Sequence, residues 1–198
     1  MEHLQSDDNK LEFFSKPKPP HPRTVQRWEA RLEALSNPDG FIIHCALRID
    51  NTKIFYVPEV RDSVKNILAR FLPTFVVKLE GGWQRSSFLF PHAHLLLPVL
   101  SEVRPFLEAL KFAGAKEVRS EFQGEVLPNP FTLLPPDRGP KNAWDYISSL
   151  PDLTPLGSFV KFTDSTISTF KNSAYLARYL AKVTYSGGLK PVMEYNLK

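Results

Sequence analysis

Short apolar runs along the chain predict a set of β-strands. The run FIIHCALRID at 41–50 is compact and rich in β-branched and aromatic residues, as expected for a central strand. FVVKLE at 75–80 predicts a second strand, and a turn at Gly81-Gly82 leads into a third through FLFPHAHLLLPVL at 88–100. Two further candidates are EVRSEFQGEV at 117–126 and SFVKFT at 158–163.

Apolar residues at helical spacing predict helices at 24–35, 61–71, 101–111 and 172–183. The helix at 101–111 has Ser101 as its N-cap and ends before Gly114, whereas Asn37-Pro38-Asp39-Gly40 stops the first helix. Short strands that alternate with a few helices indicate an α+β fold. We expect one central antiparallel sheet of about four to five strands with helices packed on it.

Proline marks the expected domain limits. The chain has 18 prolines, which cluster near the N-terminus and between Pro128 and Pro155. KPKPPHPR cannot form helix or central strand, so residues 1–23 are predicted to be a flexible leader. Residues 24–198 then form a single domain, with a proline-rich insertion around 128–156 that contains one helical turn at 144–150.

Composition sets broad limits on function. A chain of 198 residues with 42% hydrophobic residues is large enough for one domain with its own core. The net charge of +4 is compatible with a polyanionic partner. The single cysteine, Cys45, excludes an internal disulfide and a multi-cysteine metal site and is expected to be buried. No signal-peptide core and no run of about 18 apolar residues is present, so we expect a cytoplasmic protein without a membrane partner.

His92 and His94 are the first candidates for chemistry. Alternate residues of a strand share a face, so the two imidazoles project to one side about 7 Å apart at the backbone. Unpartnered imidazoles in so apolar a strand would be costly to bury, but together they can bind one divalent ion. Glu80 at the end of the preceding strand would add the oxygen ligand that Mg²⁺ or Mn²⁺ requires. The alternative is two histidines on a half-exposed strand and a solvated Glu80.

The third ligand depends on how the two strands pair. A tight hairpin centred near Gln84 would pair Glu80 with Phe88 rather than with His92, so this site requires a long or bulged connection. Should Glu80 lie elsewhere, the reserve ligands are His44, Asp50 and Glu59.

A second candidate element is the stretch YLARYLAK. On a helix, Tyr175, Tyr179 and Lys182 follow one another at i, i+4 and i+7 and share a face. The alternative is an amphipathic helix with its tyrosines at the core boundary. Transfer of a phosphodiester to a protein needs a nucleophile, a cation at the non-bridging oxygens and a positive group for the developing charge. A tyrosine attack gives a 5′-phosphotyrosine, and Lys182 can neutralise the phosphate or the phenolate.

The two elements together resemble the HUH endonuclease superfamily. FPHAHLLLPV followed downstream by AYLARYLAK is similar to rolling-circle replication initiators, whose tyrosine pattern is YxxKYxxK. The family's apolar first strand is matched by FIIHCALRI, its paired histidines by His92 and His94, and its acidic ligand by Glu80. Its tyrosine helix maps to Tyr175, Tyr179 and Lys182, so the resemblance spans about residues 41–182.

The resemblance implies a replication initiation endonuclease that nicks single-stranded origin DNA with a divalent metal ion. Its partners would be single-stranded or hairpin origin DNA, with a host helicase as a further candidate. Arg178 stands where the lysine of the first tyrosine is expected, which suits it to hold the DNA backbone. Tyr179 with Lys182 is therefore the better-matched pair, so we expect Tyr179 to make the first nick and Tyr175 a second transfer.

Three other functions fit parts of the pattern. A two-tyrosine transposase of the same superfamily has a similar tyrosine motif, but the chain has no cysteine cluster for the zinc module of those proteins. A mobilisation relaxase usually carries its tyrosine near the N-terminus, before the histidines. A non-catalytic, basic nucleic-acid-binding module would use the histidines and tyrosines only for packing.

Overall fold

The computed structural model describes residues 19–50, 58–84, 87–135, 142–182 and 192–197, with the backbone alone at 58, 81–84 and 87–90. Within these ranges the helices are α1 (Pro22–Leu35), α2 (Pro58–Leu68), α3 (Arg104–Phe112), α4 (Pro130–Leu133), α5 (Ala143–Ser149), α6 (Thr154–Gly157) and α7 (Ala174–Leu180). The strands are β1 (Phe41–Ile49), β2 (Phe75–Gln84), β3 (Ser87–Leu97), β4 (Lys116–Glu117), β5 (Glu121–Phe122), β6 (Glu125–Val126), β7 (Val160–Lys171) and β8 (Val192–Tyr195).

Six of these strands form one mixed sheet in the order β4-β7-β1-β3-β2-β8. All neighbours are antiparallel except β4 and β7, which run parallel. The predicted α+β class is therefore confirmed, but the purely antiparallel sheet of four to five strands is wrong. Two edge features had not been predicted from the sequence: the short strand β8 at one edge and the parallel pairing of the two-residue β4 at the other.

The sheet has one largely apolar face and one face of mixed character. Odd-numbered residues of the central strands, such as Cys45, Leu79 and Leu95, pack against α2 and α3 in the larger core. Even-numbered residues face the other way, where Ile42, Val76 and Leu96 are covered by α1 and α7. Further along the same strands this second face becomes polar, and that polar end carries the candidate site.

The first helix begins earlier than predicted. Pro22 and Arg23, assigned from the sequence to the leader, belong to α1, and the Nδ1 atom of His21 accepts a hydrogen bond from the Arg23 N–H. Proline is tolerated in the first turn because the N–H it lacks would have no helical partner there. Residues 1–18 of the predicted leader lie outside the described residues.

Two other local predictions were wrong. EVRSEFQGEV forms no single strand, because Gln123 and Gly124 adopt positive φ angles of 52° and 82° and close a hairpin between β5 and β6. The strand predicted at 158–163 runs on to Lys171 as β7, with an irregularity opposite Leu47 where the Ser165 hydroxyl accepts from the Arg48 N–H. The helical turn predicted at 144–150 corresponds to α5.

In the part of the chain that the structure describes, no helix combines the length and the apolar character needed to cross a membrane.

Candidate metal centre

A bulge in the β2–β3 hairpin brings Glu80 opposite His92. The hairpin closes with Gln84 opposite Ser87, so Gly81 and Gly82 lie within β2 rather than in the turn predicted there. A regular ladder from this closure would place Glu80 opposite Pro91. Instead the register shifts between Glu80 and Gly82, and His92 becomes the partner of Glu80. Since a one-residue slip moves side chains to the opposite face, this shift decides whether the three ligands can meet.

Proline explains where the bulge lies. Between the pairs Gly82–Leu89 and Glu80–His92, β2 contributes one residue and β3 contributes two, one of which is Pro91. Proline has no N–H to donate to the ladder and is found in sheets at edges or bulges. The residue immediately before His92 therefore favours the irregularity that aligns the site.

The ligand atoms of Glu80, His92 and His94 all lie within 4.8 Å of one another. The Oε2 atom of Glu80 is 3.3 Å from Nε2 of His94 and 3.6 Å from Nε2 of His92, and the two Nε2 atoms are 3.2 Å apart. Ligands at right angles around an ion, each about 2.1 Å from it, are about 3 Å apart. The three atoms thus have the spacing of three adjacent ligands of one metal ion.

Lys78 is the buried counter-charge of the site. It lies opposite His94 on β2, and its ammonium donates to Oε1 of Glu80, which leaves Oε2 to face the imidazoles. Burial opposes ionisation of Glu80, but the hydrogen bond with His94 and the charge of Lys78 outweigh it and lower the pKa of Glu80 to about 2. The carboxylate is therefore ionised, as a metal ligand must be.

His44 lies behind the ligand group rather than within it. Its Nε2 is 2.8 Å from Nδ1 of His94, and its Nδ1 is 2.9 Å from the Ser168 hydroxyl. Burial lowers the pKa of His44 well below its ordinary value. Among the described residues, the metal-binding group contains neither His44 nor the other reserve ligands, Asp50 and Glu59.

The helix α7 places Tyr179 beside the ligand group. The rings of Tyr179 and His94 are 6.3 Å apart between centroids and nearly perpendicular. Burial raises the pKa of the Tyr179 phenol, and the charge of Glu80 adds to the effect. Tyr175, one turn earlier, is 73% exposed and does not reach the histidines through any described ring contact.

Lys182 lies just beyond the helix that was predicted to contain it. α7 ends at Leu180, and Val183 lies outside the described residues. The Lys182 ammonium nevertheless lies 5.1 Å from the centre of the Tyr179 ring, and its carbonyl accepts from the Lys78 ammonium at 3.4 Å. Arg178 is exposed on the outer side of α7.

A groove of about 230 Å³ opens beside Tyr179. The β5–β6 hairpin forms one wall, and the end of β7 and the start of α7 form the other. The aromatic residues that line it are Phe122, Phe170, Tyr175 and Tyr179.

Two polar residues of the site, Lys78 and Ser168, had not been predicted from the sequence. Lys78 is two residues before Glu80 and so shares its face, a spacing that could have identified it. Ser168 gave no such signal, because it lies beyond the predicted end of its strand and meets His44 only through the pairing of β1 with β7.

Comparison of the chain with protein-family models, with curated proteins and with solved structures gave no match.

Proposed function

We propose that this protein is a metal-dependent endonuclease of the HUH type, which nicks single-stranded DNA through Tyr179 and starts rolling-circle replication. The observation that carries the proposal is the position of the Tyr179 ring, 6.3 Å from the ring of a histidine whose Nε2 belongs to the Glu80–His92–His94 group. A nucleophile of the required type thus lies next to a group of ligands suited to a hard divalent cation.

Each residue has a defined part in the reaction. A bound Mg²⁺ or Mn²⁺ would polarise the non-bridging oxygens of the scissile phosphate. The Tyr179 oxygen attacks phosphorus, and the bond between phosphorus and the 3′ oxygen of the preceding nucleotide breaks. Overall, the phenolic proton passes to that 3′ oxygen. The Lys182 ammonium beside the Tyr179 ring stabilises the negative charge that develops on the phenol and the phosphate.

Two surfaces beside Tyr179 are suited to the DNA strand. Bases of a single strand stack on aromatic side chains, and the groove beside Tyr179 exposes several. Arg178, which is exposed on α7, would contact the DNA backbone. A two-tyrosine transposase would use the same centre, and the exposed Tyr175 would then act in a second strand transfer.

The test is covalent capture of DNA. The protein is incubated with Mn²⁺ and a pool of random single-stranded oligonucleotides labelled at the 3′ end, then denatured. A 5′-phosphotyrosine retains the 3′ fragment, so we expect a labelled adduct with the 3′ label and none with a 5′ label. Tyr179→Phe removes the phenolic hydroxyl with little change in packing and should reduce the adduct by at least about a hundredfold.

Tyr175→Phe is the matched control, because it removes the same group from the same helix one turn away. It should retain first-strand adduct formation. Adduct formation by Tyr179→Phe and not by Tyr175→Phe would reverse the two roles. DNA binding without an adduct, equal with Mn²⁺ and with EDTA, would favour the non-catalytic nucleic-acid-binding module.

A further inference from the structure

A buried chain of hydrogen bonds extends from the candidate metal centre across three strands. Ser168 on β7 lies directly opposite His44 on β1, and the two side chains are joined at 2.9 Å. His44 continues to Nδ1 of His94 on β3 at 2.8 Å. Ser168, His44 and His94 are each about 5% exposed, and the ring of Phe170 stacks on His44 at 3.9 Å between centroids. The chain of hydrogen bonds is therefore almost completely buried.

The two hydrogen bonds Ser168–His44 and His44–His94 can run in either direction, which gives two patterns. A neutral imidazole carries one N–H and one acceptor nitrogen, and a hydroxyl can donate or accept. In the first pattern Ser168 donates to His44, and His44 donates to Nδ1 of His94. In the second, Nδ1 of His94 donates to His44, and His44 donates to Ser168.

The two patterns differ in whether Nε2 of His94, the nitrogen that faces Glu80, carries a hydrogen. In the first pattern Nε2 carries the hydrogen and can donate to Oε2 of Glu80, 3.3 Å away. In the second pattern Nε2 has a free electron pair, which is what a metal ion requires. The first therefore suits the metal-free centre, and the second suits the metal-bound centre.

We propose that His44 and Ser168 are positioning residues that reverse the direction of this chain when a divalent metal binds, so that Nε2 of His94 presents an electron pair while its Nδ1 keeps His44 as a hydrogen-bond partner. The inference rests on the proposed metal centre. In the reversal Ser168 passes its hydrogen to Nδ1 of His44, and His44 passes one from Nε2 to Nδ1 of His94. Solvent water takes the proton that leaves Nε2 of His94 and supplies one to the Ser168 oxygen, so the reversal changes no net charge. A hydroxyl suits the far end because it can both donate and accept.

The first test reads the tautomers directly. Long-range ¹H–¹⁵N spectra of the ¹⁵N-histidine-labelled full chain distinguish the protonated nitrogen of each ring. On addition of Zn²⁺, used as a diamagnetic probe, we expect the hydrogen of His94 to move from Nε2 to Nδ1. We also expect His44, which does not touch the metal, to switch from Nε2–H to Nδ1–H. We call the hydrogen-bonded chain Ser168–His44–His94, with its reversal on metal binding, the relay. A His44 tautomer that stays unchanged while His94 switches would overturn the relay.

The second test measures Mn²⁺ affinity by calorimetry. Ser168→Ala should weaken binding about tenfold, since loss of a partner behind a metal-binding histidine typically costs 10- to 100-fold. Ser168→Thr keeps the hydroxyl and should restore most of the affinity. Thr169→Val is the matched control: it removes a buried hydroxyl from the same strand, but that hydroxyl donates to the Pro128 carbonyl and faces away from the relay.

The outcomes separate the relay from the metal centre. Equal Mn²⁺ affinity in the folded Ser168→Ala variant and the unaltered protein would overturn the relay and leave the metal centre standing. An unaltered protein that binds neither Mn²⁺ nor Zn²⁺ would instead overturn the metal centre itself.

Discussion

At the scale of single residues, the site depends on the different partners of the two carboxylate oxygens of Glu80. Oε1 accepts from the Lys78 ammonium, and Oε2 faces His92 and His94. A buried charge is tolerated only when it is paired, so Lys78 holds the carboxylate ionised in the absence of metal. A bound divalent cation would supply a second compensating charge at Oε2, and this difference between the two states can be measured.

Lys78→Met should destabilise the metal-free protein most. Removing one partner of a buried ion pair leaves the other charge unpaired, so we expect the free energy of unfolding in EDTA to fall by about 3 kcal/mol. Saturating Mn²⁺ should recover more stability in this variant than in the unaltered protein. Urea denaturation with and without Mn²⁺ gives both values.

The matched control for Lys78→Met is Lys111→Met. Lys111 also pairs with a glutamate, Glu117, but its side chain is mostly exposed, so its loss should cost less than about 1 kcal/mol and should not depend on Mn²⁺. If the two methionine variants lose similar stability, Lys78 is not the counter-charge inferred here.

The lowered pKa of Glu80 predicts a pH dependence of folding. Its folded pKa of about 2 lies below the ordinary value of 4.5, so its ionisation stabilises the folded state above pH 4.5. That contribution is lost as the pH falls from about 4.5 towards 2. The stability difference between the unaltered protein and Glu80→Gln should therefore shrink across this interval in metal-free buffer. A difference that is constant from pH 5 to pH 2 would contradict the shifted pKa.

At the scale of elements, α7 is a short helix that carries Tyr179, the nucleophile of the proposed reaction. It has only seven residues, and a helix of that length depends on its cap and its packing. The Ser173 hydroxyl accepts from the Leu176 N–H at 3.0 Å, and Leu176, Ala177 and Leu180 pack into the smaller core beside α1. The hydrogen bond from Lys78 to the carbonyl of Lys182, two residues beyond the end of α7, joins this segment to the candidate metal centre.

Ser173→Ala should therefore impair adduct formation as well as local stability. Loss of an N-cap costs about 1 kcal/mol, and a small displacement of a nucleophile is enough to slow a reaction that depends on alignment. We expect about a tenfold slower appearance of the labelled adduct in single-turnover assays, with Mn²⁺ affinity unchanged.

Asn142→Ala provides the comparison for Ser173→Ala. Asn142 caps α5, another helix of seven residues, by accepting from the Asp145 N–H. α5 contributes no residue to the ligand group or to the groove beside Tyr179. Equal slowing in both cap variants would mean that the effect arises from general destabilisation and not from the position of Tyr179.

At the scale of the whole molecule, the larger core and the candidate metal centre lie on opposite faces of the sheet. The odd-numbered face is buried under α2 and α3 and forms the larger core, and the even-numbered face carries the ligands at its polar end. Because the ligands lie on the two neighbouring strands β2 and β3, a bound ion would join them. Metal binding should therefore stabilise the fold as a whole.

We expect Mn²⁺ to raise the melting temperature in a concentration-dependent way. A ligand that binds only the folded state adds about 2.7 kcal/mol at one hundred times its Kd. His92→Ala and His94→Ala should each remove most of this shift. Ile43→Val, on the opposite face of β1, should lower the baseline stability by about 0.5–1.5 kcal/mol and leave the Mn²⁺ shift intact. A shift that survives in both histidine variants would place the ion elsewhere.

The sequence by itself determined the features that depend on local periodicity. The alternation along β3 places His92 and His94 on one face, and helical spacing places Tyr175 and Tyr179 one turn apart. The apolar runs identified the central strands β1, β2 and β3, because buried strands need continuous apolar residues and offer few alternatives. These features were sufficient to nominate Glu80, His92 and His94, and they predicted that a bulge or a long connection was needed.

Only the tertiary structure decided which strands lie side by side and in which register. The bulge at Pro91 aligns Glu80 with His92, and the central position of β1 between β7 and β3 joins Ser168 to His44 and His44 to His94. Such pairings bring together residues as far apart as 124 positions along the chain, and no local pattern encodes them. Strand order and register follow from burying all apolar faces at once, which is a property of the whole fold.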